Sequence, residues 1–404
     1  MGVPSGRATP MMRATHLEVD LDALSGNLAA LRAFLARREK PPLVAAVLKA
    51  NAYGMGAVEV ARELAASGID MLAVACLPEA LELERAIHKG PVIFVMGHTP
   101  NEYLSLAADH NLTLTIFDER QAGILSQEGL RRGRRMRVHL KVDTGLNRLG
   151  LKPGRGAAEL VARIAALPGL DCEGIFTHLA LRDEASDAGQ FALFTSLIEE
   201  AAGLGARFKL RHVCDSIGLA RYPEYWLDLV RLGAVLYGLR PMNAPLLDST
   251  PLRTPYALRS RVSRIRELRE GEEVGYDDSY VAPKGGARLA TLPIGYGDGY
   301  PRCLSNKSEV LIRGQRAPVV GLINMDQLTF DVSGIPDAVE GDEVLLLGST
   351  FPEGEAGIEA LELANLAGTN RNEIVTAISR RVPRVYTKGG RVVGERDYLL
   401  DGSE

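Results

Sequence analysis

The chain has 404 residues, a length that suggests two or three compact units. Apolar residues make up 46% and charged residues 24%, which excludes disordered, collagen-like and disulfide-scaffold classes. The net charge of -4 offers no basic face to nucleic acid, and no uncharged apolar run reaches the roughly 18 residues of a membrane helix, so a soluble, cytoplasmic protein is predicted.

In chain order, residues 1–14 are too poor in apolar length for a signal peptide and are predicted to be flexible. A helical opening at 20–38 leads into eight short apolar runs, at 43–49, 71–76, 92–96, 112–117, 136–142, 170–177, 208–213 and 229–237. Helical patterns such as 57–67, 78–89 and 187–202 lie between them. Eight βα repeats over residues 15–245 predict an α/β chain with a (β/α)8 barrel; a doubly wound open sheet is the rival that periodicity leaves open. Past Pro241, Arg/Glu/Val alternation and glycine turns predict a mainly β domain at 246–404, with strands at 258–267 and 344–347 and a helix at 358–366. Cys76, Cys172, Cys214 and Cys303 have no CxxC spacing, which predicts a reducing compartment and buried packing thiols. No HxxxH or HExxH pair occurs among the seven histidines, so no metal site is predicted.

Chemistry in such a barrel collects at the C-terminal strand ends. There the chain has Lys49, then Tyr53; Lys141, then Asp143 to Arg148; His178; Asp215 and Ser216; and Arg231 followed by Gly233 and Ala234. A lysine ending an apolar strand is either a neutral, nucleophilic Schiff-base amine or a chain that snorkels to water. Ser216 is either a phosphate ligand beside the close backbone of Gly233 or a helix N-cap. A lysine opposite a phosphate cradle suggests pyridoxal 5'-phosphate.

The run Val47-Leu-Lys-Ala-Asn-Ala-Tyr-Gly54 resembles the cofactor-lysine signature of the alanine racemases, a fold type III pyridoxal-phosphate family. Agreement continues in order through His139-Leu-Lys-Val-Asp-Thr-Gly-Leu-Asn-Arg-Leu-Gly150, Thr177-His178, Val230-Arg-Leu-Gly233 with Leu236-Tyr-Gly238, Gly295-Tyr-Gly-Asp-Gly299, Met325-Asp-Gln327 and Arg381-Val-Pro-Arg384. The resemblance spans about residues 16 to 390, and its seven motifs in order are far more than one short motif would carry.

The resemblance implies that Lys49 carries the cofactor and acts as one base, with Tyr276 as the second base from the neighbouring subunit of a head-to-tail homodimer. It implies phosphate binding by Tyr53, Ser216, Gly233 and Ala234, and a pyridine-nitrogen contact from Arg231. His178 and Arg231 would assist Tyr276, since a free phenol titrates near about 10. Arg148 would face the cofactor and the substrate carboxylate, Met325 and Asp326 would approach the substrate, and Tyr296 would stand at the site entrance. Lys141 matches a lysine that many members carry as a carbamate. Departures from the family pattern are Met55, Asp215, Asp277-Asp278, Asn324 and Arg380; the last occupies a phosphate-binding tyrosine's place and is a doubtful phosphate ligand. The implied reaction is interconversion of L- and D-alanine, supplying D-alanine for peptidoglycan. The alternatives are a racemase of broader or different preference, such as serine or lysine, and a non-catalytic cofactor-binding protein.

Overall fold

The computed structural model describes residues 12–87, 89–242, 244–349 and 357–401. They pack as two units: one runs Ala23–Arg253, and the other joins the residues up to Asp22 with those from Thr254 onward. Most of the 1–14 segment predicted to be flexible lies outside the described residues. Arg13, within that segment, is tied down by hydrogen bonds described below.

Strands are β1 (His16–Asp20), β2 (Leu43–Val47), β3 (Met71–Val74), β4 (Val92–Val95), β5 (Leu112–Ile116), β6 (Met136–Lys141), β7 (Leu170–Phe176), β8 (Leu210–His212) and β9 (Leu229–Leu232). β2 to β9 form one parallel sheet in the order β8-β7-β6-β5-β4-β3-β2-β9. Backbone bonds from Asp228 N to Arg211 O (3.0 Å) and from Arg231 N to Cys214 O (3.0 Å) bridge the remaining gap, so the sheet curls into the expected barrel. The strands read LVAAV, MLAV, VIFV and LTLTI because a parallel sheet is covered on both faces and tolerates little alternation. Two of the intervening helices, Glu119–Arg131 and Glu184–Gly203, start on aspartates, Asp118 and Asp183, whose carboxylates accept from Gln121 N and Ser186 N.

The second unit is mainly β, as expected. Its strands are β10 (Tyr256–Arg261), β11 (Arg264–Leu268), β12 (Ala287–Leu292), β13 (Glu309–Ile312), β14 (Gln315–Val320), β15 (Leu328–Asp331), β16 (Glu343–Ser349), β17 (Gly357–Ile358), β18 (Arg384–Lys388) and β19 (Arg391–Arg396). β1, which the sequence reading missed, lies between β10, antiparallel to it, and β18, parallel to it. Five residues with no flanking turn signal carry little periodicity; their long-range partners decide their state.

Three expectations are corrected. The last barrel strand stops at Leu232 instead of 237, because Gly233 turns the chain into the short helical turn Ala234–Tyr237. The first stops at Val47, so Lys49 stands on the turn beyond the strand. Cys76 and Cys303 are exposed and only Cys172 and Cys214 are buried; all four are free thiols.

Candidate active site

Lys49 opens a turn, Lys49–Tyr53, whose residues Ala50, Asn51, Ala52 and Tyr53 have φ of 53°, 56°, 53° and 54°. Left-handed backbone costs a residue with a Cβ about 1–2 kcal/mol, and asparagine less, so four in a row are held only by their surroundings. The turn's effect is positional. It sends Tyr53 inward to lie 4.7 Å from the Tyr237 ring, and a Cβ at Gly233 would meet the Tyr53 hydroxyl at 2.5 Å. A side chain at 233 would have to displace the Tyr53 hydroxyl.

Ser216 comes to the same place. Its Oγ accepts from Gly233 N at 3.1 Å and from Val235 N at 3.4 Å, which leaves its own proton to donate. The N-cap reading of Ser216 is overturned: Asp215 caps the helix Ser216–Arg221, accepting from Ile217 N and Gly218 N at 2.9 Å each. Ala234 stands first in its helical turn, so that turn makes no use of its N–H. Burial, followed by the Asp215 charge, pushes the Tyr53 phenol up, so it stays a hydroxyl donor. Two hydroxyls and a backbone N–H converging on a side-chain-free position fit a phosphate group.

Arg231, 3% exposed, is the centre of the mouth. Its Nη2 donates to Thr177 O at 3.0 Å, Val213 O at 2.7 Å and His178 Nδ1 at 3.3 Å; its Nη1 donates to His212 Nδ1 at 2.8 Å. Desolvation pushes it down to about 10, which leaves it a cation at neutral pH. A guanidinium has no acceptor, so both histidines must accept at Nδ1 and carry their proton on Nε2. His212 then donates from Nε2 to His139 Nδ1 at 2.9 Å. His139 in turn carries its proton on Nε2, an atom with no hydrogen-bond partner among the described residues. The chain runs in one direction, away from Arg231.

These rings are kept neutral. Desolvation, reinforced by Arg231, pushes His178 down to about 2 and His139 to about 3, and drives His212 well below the usual imidazole range. Phe94 and Phe176 complete the aromatic layer, with Phe176 stacked 4.7 Å from His212. Gly174 leaves the space for His139, whose ring a Cβ there would meet at 2.6 Å. Sequence reasoning assigned no role to His139 and His212. The signal available was that each lies on a barrel strand of inward-facing residues, His139 inside a quoted motif.

Two lysines share the mouth. Lys141 is buried, with Nζ 4.4 Å over the Phe176 ring. Desolvation, then Arg231 and Arg148, force its ammonium well below the usual lysine value. Lys49 is open to solvent, yet its ammonium is also lowered, by desolvation and then by Arg148, with Asp215 and Glu79 opposing. Arg148 is exposed on the loop that leaves β6, closed by bonds from Asp143 N to Leu151 O (2.8 Å) and from Leu151 N to Lys141 O (2.9 Å). A neutral amine is the nucleophilic form of lysine, so the mouth favours amine chemistry beside the fixed Arg231 guanidinium.

In the β unit, the remaining predicted residues are exposed: Tyr276 69%, Tyr296 42% and Met325 53%. Tyr276 tips a loop whose flanks, Val274 and Tyr280, pack on Ala282, Ala287, Leu289 and Val320. Tyr296 and Met325 sit on two loops joined by Tyr296 N to Asn324 O (3.0 Å) and Gly297 N to Met325 O (2.9 Å). Beneath them, buried Asp298 receives Arg13 Nη2 at 2.7 Å and Arg381 Nε at 3.6 Å, and Arg381 Nη2 donates to Asp326 at 2.7 Å. Arg13 also donates to Arg381 O at 2.9 Å. Arg380 lies with its guanidinium carbon 5.1 Å over the Tyr398 ring, a contact that lends no support to a phosphate role.

The chain matches the model for the alanine racemase N-terminal domain over residues 19–241 and that for the C-terminal domain over residues 256–386. It is 36% identical over 391 residues to an alanine racemase of Clostridium perfringens, covering 96% of this chain and 99% of that one. It is 41% identical over 380 residues to that of Symbiobacterium thermophilum, covering 93% and 97%. Among solved structures, alanine racemase of Clostridium difficile 630 superimposes with a TM-score of 0.89 at 33% identity, over 96% of this chain and 100% of that one. A Bartonella henselae alanine racemase described with covalently bound pyridoxal phosphate gives 0.81 at 26% identity, over 93% and 99%.

Fold and likeness together define an enzyme of the racemase class, a parallel barrel followed by a mainly β domain. Both family models and full-length relatives agree on which one: the chain belongs to the alanine racemase family.

Proposed function

We propose that the protein interconverts L- and D-alanine with pyridoxal 5'-phosphate and two bases. The observation that carries the reading is the meeting of Tyr53 and Ser216 at Gly233, beside a lowered lysine amine and an arginine that is a cation at neutral pH. Tyr53, Ser216, Gly233 and Ala234 would hold the cofactor phosphate, Lys49 its carbonyl carbon, and Arg231 its pyridine nitrogen. Pyridoxal phosphate, when bound, delocalises the electron pair left on the substrate α-carbon.

The protein's own groups do the rest. Lys49 Nζ takes or returns the α-proton on one face, and Tyr276 of the partner subunit does so through its phenol oxygen on the other. His178, neutral with its proton on Nε2, donates to that oxygen and stabilises its deprotonated form, while Arg231 holds the ring in that tautomer. Arg231 keeps its protons, so it faces the pyridine nitrogen as a donor without transferring one. Arg148 takes the substrate carboxylate with its planar fork of donors. Lys141, whose burial disfavours the ammonium form, gains a carbamate when its amine forms an N–C bond to carbon dioxide and releases one proton; the anion then orients Arg148. Tyr296, Met325 and Asp326 border the substrate in a head-to-tail homodimer. The product D-alanine serves peptidoglycan synthesis in the cytoplasm.

The test is borohydride reduction of the loaded protein followed by peptide mapping, with racemisation of a panel of amino acids in parallel. Label on Lys49 and fastest turnover of alanine are expected. Label elsewhere would remove the lysine assignment, and faster turnover of serine or lysine would remove the substrate assignment.

A further inference from the structure

The left-handed turn after Lys49 closes part of itself from within, by Ala52 N to Leu48 O (2.8 Å), Gly54 N to Ala50 O (2.9 Å) and Gly56 N to Asn51 O (2.9 Å). The N–H of Ala50, adjacent to Lys49, is outside that set. It donates to Glu79 Oε1 at 2.7 Å, while Glu79 Oε2 accepts from Ala75 N at 2.8 Å. Ala75 directly follows β3, and β3 pairs in parallel with β2 through Val47 and Ala73. One carboxylate thus joins the ends of two neighbouring barrel strands.

Glu79 lies in the first turn of the helix Leu77–Ala86, whose N-cap Cys76 makes no side-chain cap. A glutamate there commonly reaches back to a backbone N–H before the helix, which accounts for the bond to Ala75. Nothing about capping asks the second oxygen to cross to Ala50 on another strand. We propose that Glu79 is a positioning residue for Lys49: by fastening Ala50 N–H to the end of β3, it holds the left-handed turn and with it the directions of Lys49 and Tyr53. The inference deepens the proposed function and rests on Lys49 being the cofactor anchor. A carboxylate suits the task because both partners are donors, whereas an amide offers one acceptor oxygen and turns its NH2 group toward the other N–H.

The test is Glu79→Gln in the full chain, which keeps side-chain volume. Hydrogen exchange at Ala50 and Ala75 should accelerate by about 10- to 100-fold, the range set by losing a charge-assisted hydrogen bond. Cofactor-free protein is then mixed with pyridoxal 5'-phosphate across a pH series, and covalent attachment is followed by visible absorbance. The alkaline plateau rate, where the Lys49 amine is neutral in both proteins, should fall about tenfold through misdirection alone. The midpoint of that profile should also move down, since the Glu79 charge favours the Lys49 ammonium. A capping role alone would change Ala75 exchange and leave Ala50 exchange and the plateau rate untouched, and that result overturns the proposal. If wild-type protein attaches no cofactor at Lys49, the functional reading fails, and Ala50 exchange still decides the role of Glu79.

Discussion

The barrel mouth and the loops of the β unit treat their functional side chains in opposite ways. Around Arg231 the contacts lie within one unit: three neutral histidines, two backbone carbonyls and an aromatic layer fix both geometry and protonation. Tyr276, Tyr296 and Met325 instead stand exposed on loops whose anchors lie beneath them, in an apolar cluster and around buried Asp298. The barrel mouth is organised within its own unit, whereas the β unit leaves these three side chains exposed.

Removing a group from each side should break the comparison most visibly. Lys49→Ala should abolish covalent cofactor attachment, with activity down about ten-thousand-fold or more because a base and an anchor are lost together. Tyr276→Phe should retain the cofactor absorbance and lose about 100- to 10,000-fold in abstraction from one enantiomer preferentially. Equal loss in both directions of solvent-deuterium exchange would count against separate bases.

A smaller effect is expected at the anchors. Arg381→Met removes the link between Asp298 and Asp326 on a half-exposed side chain, so thermal stability should change by less than about 1 kcal/mol. If the loops border the substrate, KM for alanine should rise by up to about tenfold while absorbance and cofactor affinity hold; Arg381→Lys should restore part of it. Unchanged KM in the Met variant would detach this network from the site.

A separate effect is on acid stability, and its sign follows from the histidines. His139 and His212 are neutral when folded and regain an ordinary value near 6.5 when unfolded. Above that value they contribute no pH dependence. Below it the unfolded chain binds protons that the barrel refuses, so stability should fall by about 1.4 kcal/mol per pH unit for each fully buried ring, continuing for His139 to about pH 3. Half-open His178 adds less. Urea unfolding between pH 7 and 5 reads this directly, and His139→Phe should flatten the slope relative to wild type. An identical slope would show that these rings are not the groups being protonated.

Much of the candidate site was legible because parallel strands announce themselves as apolar runs and the polar residues near their C-terminal ends are then few: Lys49, Lys141, His178, Ser216 and Arg231 were all singled out this way. His139 and His212 were passed over because a histidine inside an apolar strand looks the same whether it is a relay or a core filler. Arg13 and Arg381, which meet at a sequence separation of 368, have no local signature at all. β1 was missed for the same reason, its partners lying at both ends of the β unit.

By itself, the sequence determined the eightfold alternation, the mainly β second half and the polar residues gathered near the C-terminal ends of the strands, since burial imposes a period that can be counted along the chain. Only the tertiary structure decided the left-handed turn after Lys49, the direction of the Arg231–His212–His139 chain and the pairing of Glu79 with two strand ends. The sign of φ and the partner of a buried donor are set by groups far away in the chain, and no pattern of neighbouring residues encodes them.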